Sequence, residues 1–180
     1  MTRKKYFIAI VLPEPFQHEI EEIKQWLYRE HGLKGALRSP AHITLHRPFE
    51  WKEEKENLLI EKLSAFKTAF SFDLELKNFD FFEPRVVFVN VLKNQILEEL
   101  HSSLRSYAQG ELKLLNEIND LRGFNPHVTV AFRDLKKPKF YELQRLFREK
   151  QFEAAFTFNA CTLLKLTKNW EAIHDFGKSK

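Results

Sequence analysis

The chain has 180 residues, a formal net charge of +4, 43% hydrophobic residues and a single cysteine. That length is one domain's worth and buries a substantial core, and the composition excludes a disordered chain, a disulfide scaffold and a cysteine-rich zinc module. Five glycines, with neither G-x-G-x-x-G nor G-x-x-x-x-G-K present, exclude the glycine-rich phosphate loops, while 18 phenylalanines point to an aromatic core.

The first apolar run, Tyr6 to Leu12, follows Arg3-Lys4-Lys5 as a secretory signal would. It is only seven residues long and stops at Pro13 without a small-residue cleavage site, so it reads as a buried strand. Phe16 to Glu30 carries Ile20, Ile23 and Leu27 at helical spacing and ends near Gly32, a helix C-cap. His42 to Arg47 is a short strand between Pro40 and Pro48. Leu59, Leu63, Phe66 and Phe70 predict a helix over Glu53 to Ala69, and Phe72, Leu74 and Leu76 alternate as a half-buried strand.

After Pro84 the order begins again. Val86 to Leu92 is a strand, Gln95 to Tyr107 a helix, His127 to Phe132 a short strand, Pro138 to Lys150 a helix with proline in its first turn, and Phe152 to Phe158 a strand. Cys161 to Leu166 and Glu171 to Phe176 are two closing strands. Strand, helix, short strand, helix, strand thus occurs twice, about 80 residues apart, with no linker between the copies. The reading is a single α+β domain over residues 1–180, built of two similar lobes with a pseudo-repeat of roughly 6–83 and 84–180. No apolar run approaches the ~20 residues of a membrane span, and the lone Cys161 fits a reducing compartment, so a cytoplasmic protein is expected.

The two short strands at equivalent places each contain His-x-Thr: His42-Ile43-Thr44-Leu45 and His127-Val128-Thr129-Val130. Strand alternation puts His42 and Thr44 on one face and Ile43 and Leu45 on the other, and the second copy does the same. The apolar partners belong in the core, so the polar pairs face a cleft. Two imidazoles across a cleft suit in-line displacement at phosphorus, one taking a proton from the nucleophile and the other giving one to the leaving oxygen. Thr44 and Thr129 supply hydroxyl donors to the non-bridging oxygens. His42 and His46 lie ~13 Å apart along a strand, too far to share one ion, so no metal and no cofactor is expected. His46 is expected on the His42 face. Arg47, Arg133 and Lys168 are candidate phosphate or ribose contacts, and Phe49, Trp51, Phe132 and Tyr6 candidate base-stacking rings.

This pattern resembles the two-histidine (2H) phosphoesterase superfamily, which includes RNA 2′,3′-cyclic phosphodiesterases and 2′-5′ RNA ligase-like proteins. The resemblance runs from Tyr6–Leu12 through both motifs to Trp170-Glu171-Ala172-Ile173. It implies a bilobal fold, with two antiparallel sheets forming a central cleft and helices outside, and a metal-independent phosphodiesterase acting on a 2′,3′-cyclic phosphate or related RNA-end phosphodiester. It also implies His42 as proton donor and His127 as acceptor. The expected partner is a nucleotide or RNA bearing a cyclic phosphate or 2′-5′ linkage, and the protein is expected to be a monomer. The alternatives are a non-catalytic RNA-end or nucleotide-binding module, and a phosphoesterase on another cyclic phosphate such as that of ADP-ribose.

Overall fold

Period-two alternation turns the short apolar stretches into strands, and the 3.6-residue stripes become helices. The computed structural model describes residues 2–68, 71–116 and 123–178. In chain order the elements are β1 (Arg3–Val11), α1 (Phe16–His31), β2 (His42–Lys52), α2 (Glu56–Ala65), β3 (Asp73–Phe82) and β4 (Val86–Val91). They continue with α3 (Gln95–Glu111), β5 (His127–Ala131), α4 (Lys137–Arg148), β6 (Glu153–Thr157), β7 (Cys161–Leu166) and β8 (Trp170–Phe176). Single turns of 3-10 helix at Gly35–Arg38 and Glu53–Lys55 lead into β2 and α2. Gly32 caps α1 in the left-handed conformation, its N–H bonding back to Tyr28, as its position in the sequence implies.

Two boundaries differ from expectation. The second helix is shorter than the predicted Glu53–Ala69 because Phe66 turns to extended backbone and buries its ring against Tyr107 and Phe176. Ala69 and Phe70 lie outside the described residues. Pro48 does not close β2, which continues to Lys52. The β1–β2 register slips between Tyr6↔Phe49 and Ile8↔His46, so Arg47 and Pro48 occupy a bulge where the ladder requires no proline N–H.

The described strands form one antiparallel sheet in the order β6-β3-β4-β5-β2-β1-β7-β8. The two sheets expected from sequence are therefore two four-stranded halves of a single sheet, joined between β2 and β5 by one ladder pair, Ile43↔Val128. Strands β4 and β5 occupy one half, β1 and β2 the other. β3 crosses to the former and β7–β8 return to the latter. A second tie reinforces the seam: the Asp134 carboxylate after β5 accepts from the backbone N–H groups of Lys34 and Gly35, at 2.8 and 3.0 Å. Gly35 admits no larger residue there, because a Cβ would lie 2.6 Å from the Phe132 carbonyl oxygen.

Buried residues of all four helices, among them Ile20, Leu59, Leu100 and Phe140, join Ile43, Leu45, Val128 and Val130 in one core on one face of the sheet. The opposite face carries a small separate cluster of Phe7, Ala9 and Leu164. The helices thus leave the second face to the polar residues of β2 and β5. Ile43→Ala, which removes a fully buried side chain at the seam, is expected to cost about 2–4 kcal/mol. Urea unfolding monitored by far-UV circular dichroism measures that loss.

Candidate functional site

Antiparallel strands place opposite residues on the same face. Carrying the Ile43↔Val128 register one residue each way sets His42 across from Thr129 and Thr44 across from His127. The four side chains thus form a quadrilateral on the face away from the core, each half-buried. Directly opposed members have Cβ atoms ~5 Å apart, and the diagonal His42–His127 pair sits ~7–8 Å apart. A separation of that size is wide enough to admit a phosphate group.

The two halves hold their histidines alike. His42 Nδ1 lies 2.7 Å from the Pro40 carbonyl oxygen and His127 Nδ1 2.7 Å from that of Asn125, each two residues upstream. A carbonyl only accepts, so each Nδ1 carries a proton and each Nε2 is left to the cleft, a lone pair when the ring is neutral and a donor when it is cationic. Rings pack beside both. His42 sits 4.9 Å from Phe7, which meets Trp170 edge-on, and His127 lies 5.0 Å from both Phe82 and Phe88.

Electrostatically the halves differ. Burial pushes His42 down to about 4, with the Lys24 and His127 charges pushing the same way and the Pro40 carbonyl opposing. His127 is also lowered by burial, opposed by the Asn125 carbonyl. Lys24 is a residue that sequence reasoning missed. It is 2% exposed and donates from Nζ to the Ser39 carbonyl at 2.9 Å, with Glu21 3.6 Å away. Gln17, also on α1, donates to the Ala41 carbonyl and accepts from the Ala41 N–H. Three successive carbonyls before β2 are therefore claimed in turn by Lys24, His42 and Gln17, which fixes the segment that aims His42. The signal for Lys24 was readable: it stands in the buried Ile20, Lys24, Leu27 stripe, where a charge is out of place. Gln17 carried no such signal.

The other expected contacts divide. His46 does not share the His42 face. A second register slip, between Ile8↔His46 and Ala9↔Thr44, makes Leu45 and His46 both turn to the core. His46 is 1% exposed and meets Phe49 edge-on. Phe49 in turn stacks on Tyr6 within the core, so neither ring is free to take a base. Arg47 is half-buried and its Nη2 donates to the Asn116 carbonyl at 3.4 Å. Arg133 is exposed beyond β5, with φ at 64° and its guanidinium 5.0 Å from the Phe132 ring. Lys168 is exposed in the β7–β8 turn, where its carbonyl accepts from Arg38.

A fold with two matched histidine strands at the centre of one sheet is a recognisable class. The model of the 2′-5′ RNA ligase superfamily matches residues 12–170, and the chain belongs to that superfamily. It is 29% identical over 156 residues to "Putative phosphoesterase GWCH70_0799" of Geobacillus sp. (strain WCH70), covering 83% of this chain and 84% of that one. Among solved structures it resembles TT0787 of Thermus thermophilus, with a TM-score of 0.70, 20% identity and 97% and 98% of the two chains covered. It also resembles E. coli LigT in complex with 3′-AMP, with a TM-score of 0.60, 21% identity and 98% and 99% covered. These structural likenesses establish the fold, and the family membership supports an enzyme of phosphodiester chemistry. No helix among the described residues is long and apolar enough to cross a membrane.

Unfolded chain protonates imidazole near pH 6.5, whereas folded His42 does so only near pH 4. Stability supplied by the neutral rings is therefore full above pH 6.5 and is lost as pH falls through that window. Lys24→Met is expected to move the His42 midpoint upward and leave that of His127 nearly unchanged. An NMR titration of the imidazole Cε1 protons measures both, and an unmoved His42 would exclude Lys24 from its environment.

Proposed function

We propose that the chain is a metal-independent phosphodiesterase that opens 2′,3′-cyclic phosphates at RNA ends. The observation that carries this reading is the matched pair of Nδ1–carbonyl bonds, which leaves two Nε2 atoms for one phosphate. The base Nε2 takes a proton from water as its oxygen attacks phosphorus, the bond to the 2′ oxygen breaks, and the acid Nε2–H delivers its proton to that oxygen. The product is a 3′-phosphate. Thr44 and Thr129, each beside a histidine, donate to the non-bridging oxygens as charge gathers on them. The 3′-AMP in the LigT complex is a nucleotide of the product type, which supports this substrate class.

The roles of the two rings follow from their surroundings. Burial, with the Lys24 charge adding to it, keeps His42 neutral, the state a base needs, so on this reading His42 is the base and the less strongly lowered His127 the acid. This is the reverse of the pairing that the family resemblance implies. Arg47 on the strand of His42 and Thr44, Arg133 beyond β5 and Lys168 in the β7–β8 turn are the candidate cations for a phosphate oxygen.

His42→Ala and His127→Ala are each expected to lower the rate of cyclic-phosphate hydrolysis by roughly 10²- to 10⁴-fold with the fold retained. Wild-type activity should persist in excess chelator. A p-nitrophenyl phosphodiester, whose leaving group needs no acid, should restore much of the rate to His127→Ala and little to His42→Ala. Restoration of His42→Ala instead would reverse the roles, and turnover unaffected by either alanine would remove the mechanism. Binding of 3′-phosphate ends without turnover would make the cleft a recognition module.

A further inference from the structure

The cleft face does not end at the histidines. Strand β1 is regular, the extra residues at both register slips belonging to β2, so Arg3, Lys5, Phe7, Ala9 and Val11 share one face. Val11 pairs with His42 and Ala9 with Thr44. Phe7 touches the His42 ring. Lys5 and Arg3 continue the row, ~7 and ~13 Å beyond Phe7 by strand rise. There a groove of about 450 Å³ opens, lined by Arg3, Lys5, Glu50, Lys113, Leu115 and Asn116 among others.

Its far wall is the segment that follows α3. Asn116 ties that segment to β2, donating from Nδ2 to the Pro48 carbonyl at 3.2 Å and accepting from Arg47 at its own carbonyl. Lys113 has φ at 56°, a left-handed backbone that an L-residue rarely adopts. That turn keeps Leu112 and Leu114 buried while the lysine between them stays exposed. Leu115 is 61% exposed beside it, a large apolar side chain left in water. Among the described residues none of Arg3, Lys5 and Lys113 is paired with a carboxylate, and Glu50 is the one acid among the groove residues named above.

Three unpaired cations spaced along a groove with an apolar platform match a strand of regularly spaced anions that also carries flat apolar groups. A 2′,3′-cyclic phosphate closes the 3′ end of its strand, so everything else in the substrate extends from the 5′ side of that nucleotide. We propose that the Arg3–Lys5–Lys113 groove is a binding site for the single-stranded RNA immediately upstream of the terminal nucleotide. It makes the enzyme selective for oligonucleotide ends over free mononucleotides. The proposal rests on the phosphodiesterase reading for the direction of the strand, but its binding does not depend on turnover.

The test compares wild type with an Arg3→Gln, Lys5→Gln, Lys113→Gln variant on a 2′,3′-cyclic mononucleotide and on a short single-stranded RNA ending in the same cyclic phosphate. The expected result is a lower KM for the RNA in wild type, raised on the order of tenfold in the variant, with kcat and the mononucleotide KM unchanged. Fluorescence anisotropy with the matching 3′-phosphate RNA should show its log–log salt slope falling by about 2, at ~0.7 per phosphate contact on a single strand. Equal KM values for the two substrates in wild type, or an unchanged salt slope in the variant, would overturn the groove. Salt-dependent RNA binding that the variant loses, in a wild type that hydrolyses neither substrate, would uphold the groove and refute the phosphodiesterase reading alone.

Discussion

The Ile43–Val128 pair is the constraint on which the site depends. Two four-stranded halves meet there and nowhere else in the ladder between β2 and β5. Because side chains alternate, a slip of one residue would send a histidine and its threonine into the core and bring the apolar partners out. Such a short seam is fixed by what surrounds it. Both central residues are buried among helices from both halves, and Asp134 clamps the segment before β2 to the end of β5. Elsewhere the halves diverge, and the space that opens beyond the seam is bounded by Lys113–Asn116 on one side and β1–β2 on the other.

Around that seam the chain repeats one device twice and then breaks its symmetry. Each imidazole is aimed by a carbonyl two residues upstream and packed against phenylalanine. Burial alone would leave both rings neutral, and two neutral bases make a poor acid–base pair. Burial lowers His42 further than His127, and α1 adds to the difference by carrying a buried cation to the approach of His42 through the Ser39 carbonyl. In the proposed reaction a bound phosphate, itself anionic, would favour protonation of both rings, and the one without a neighbouring lysine would respond first. Unequal burial and a charge on one helix thus polarise a nearly symmetric site.

Much of this was legible along the chain. The alternation in His42–Leu45 and His127–Val130 assigned each residue to its face, and the second copy of the layout put the two motifs in equivalent strands. The reading failed where strand periodicity itself breaks. His46 obeys the alternation from His42 on paper, but the bulge beside Ile8 inserts a residue and turns it inward with Leu45. Pro48 looks like a strand end and is instead a bulge residue in a strand that continues. Phe49 returns to the core face of Ile43 and Leu45 because the two one-residue slips cancel, so plain alternation along β2 already marks it as a core ring.

The sequence by itself determined the elements, the pairing of each histidine with a threonine on a polar face, and the chemistry those residue types permit, because these are properties of residues within a few positions of one another. Tertiary structure decided how the two motifs meet, since the paired Ile43 and Val128 are more than 80 residues apart in the chain and their register is set by packing on both sides. It also decided which ring is pushed down further, because the burial of His42 and the approach of Lys24 both arise only in the folded chain. The path of the basic row beyond the cleft is tertiary for the same reason. Arg3 and Lys5 share a groove with Lys113 where the chain after α3 folds back beside β2.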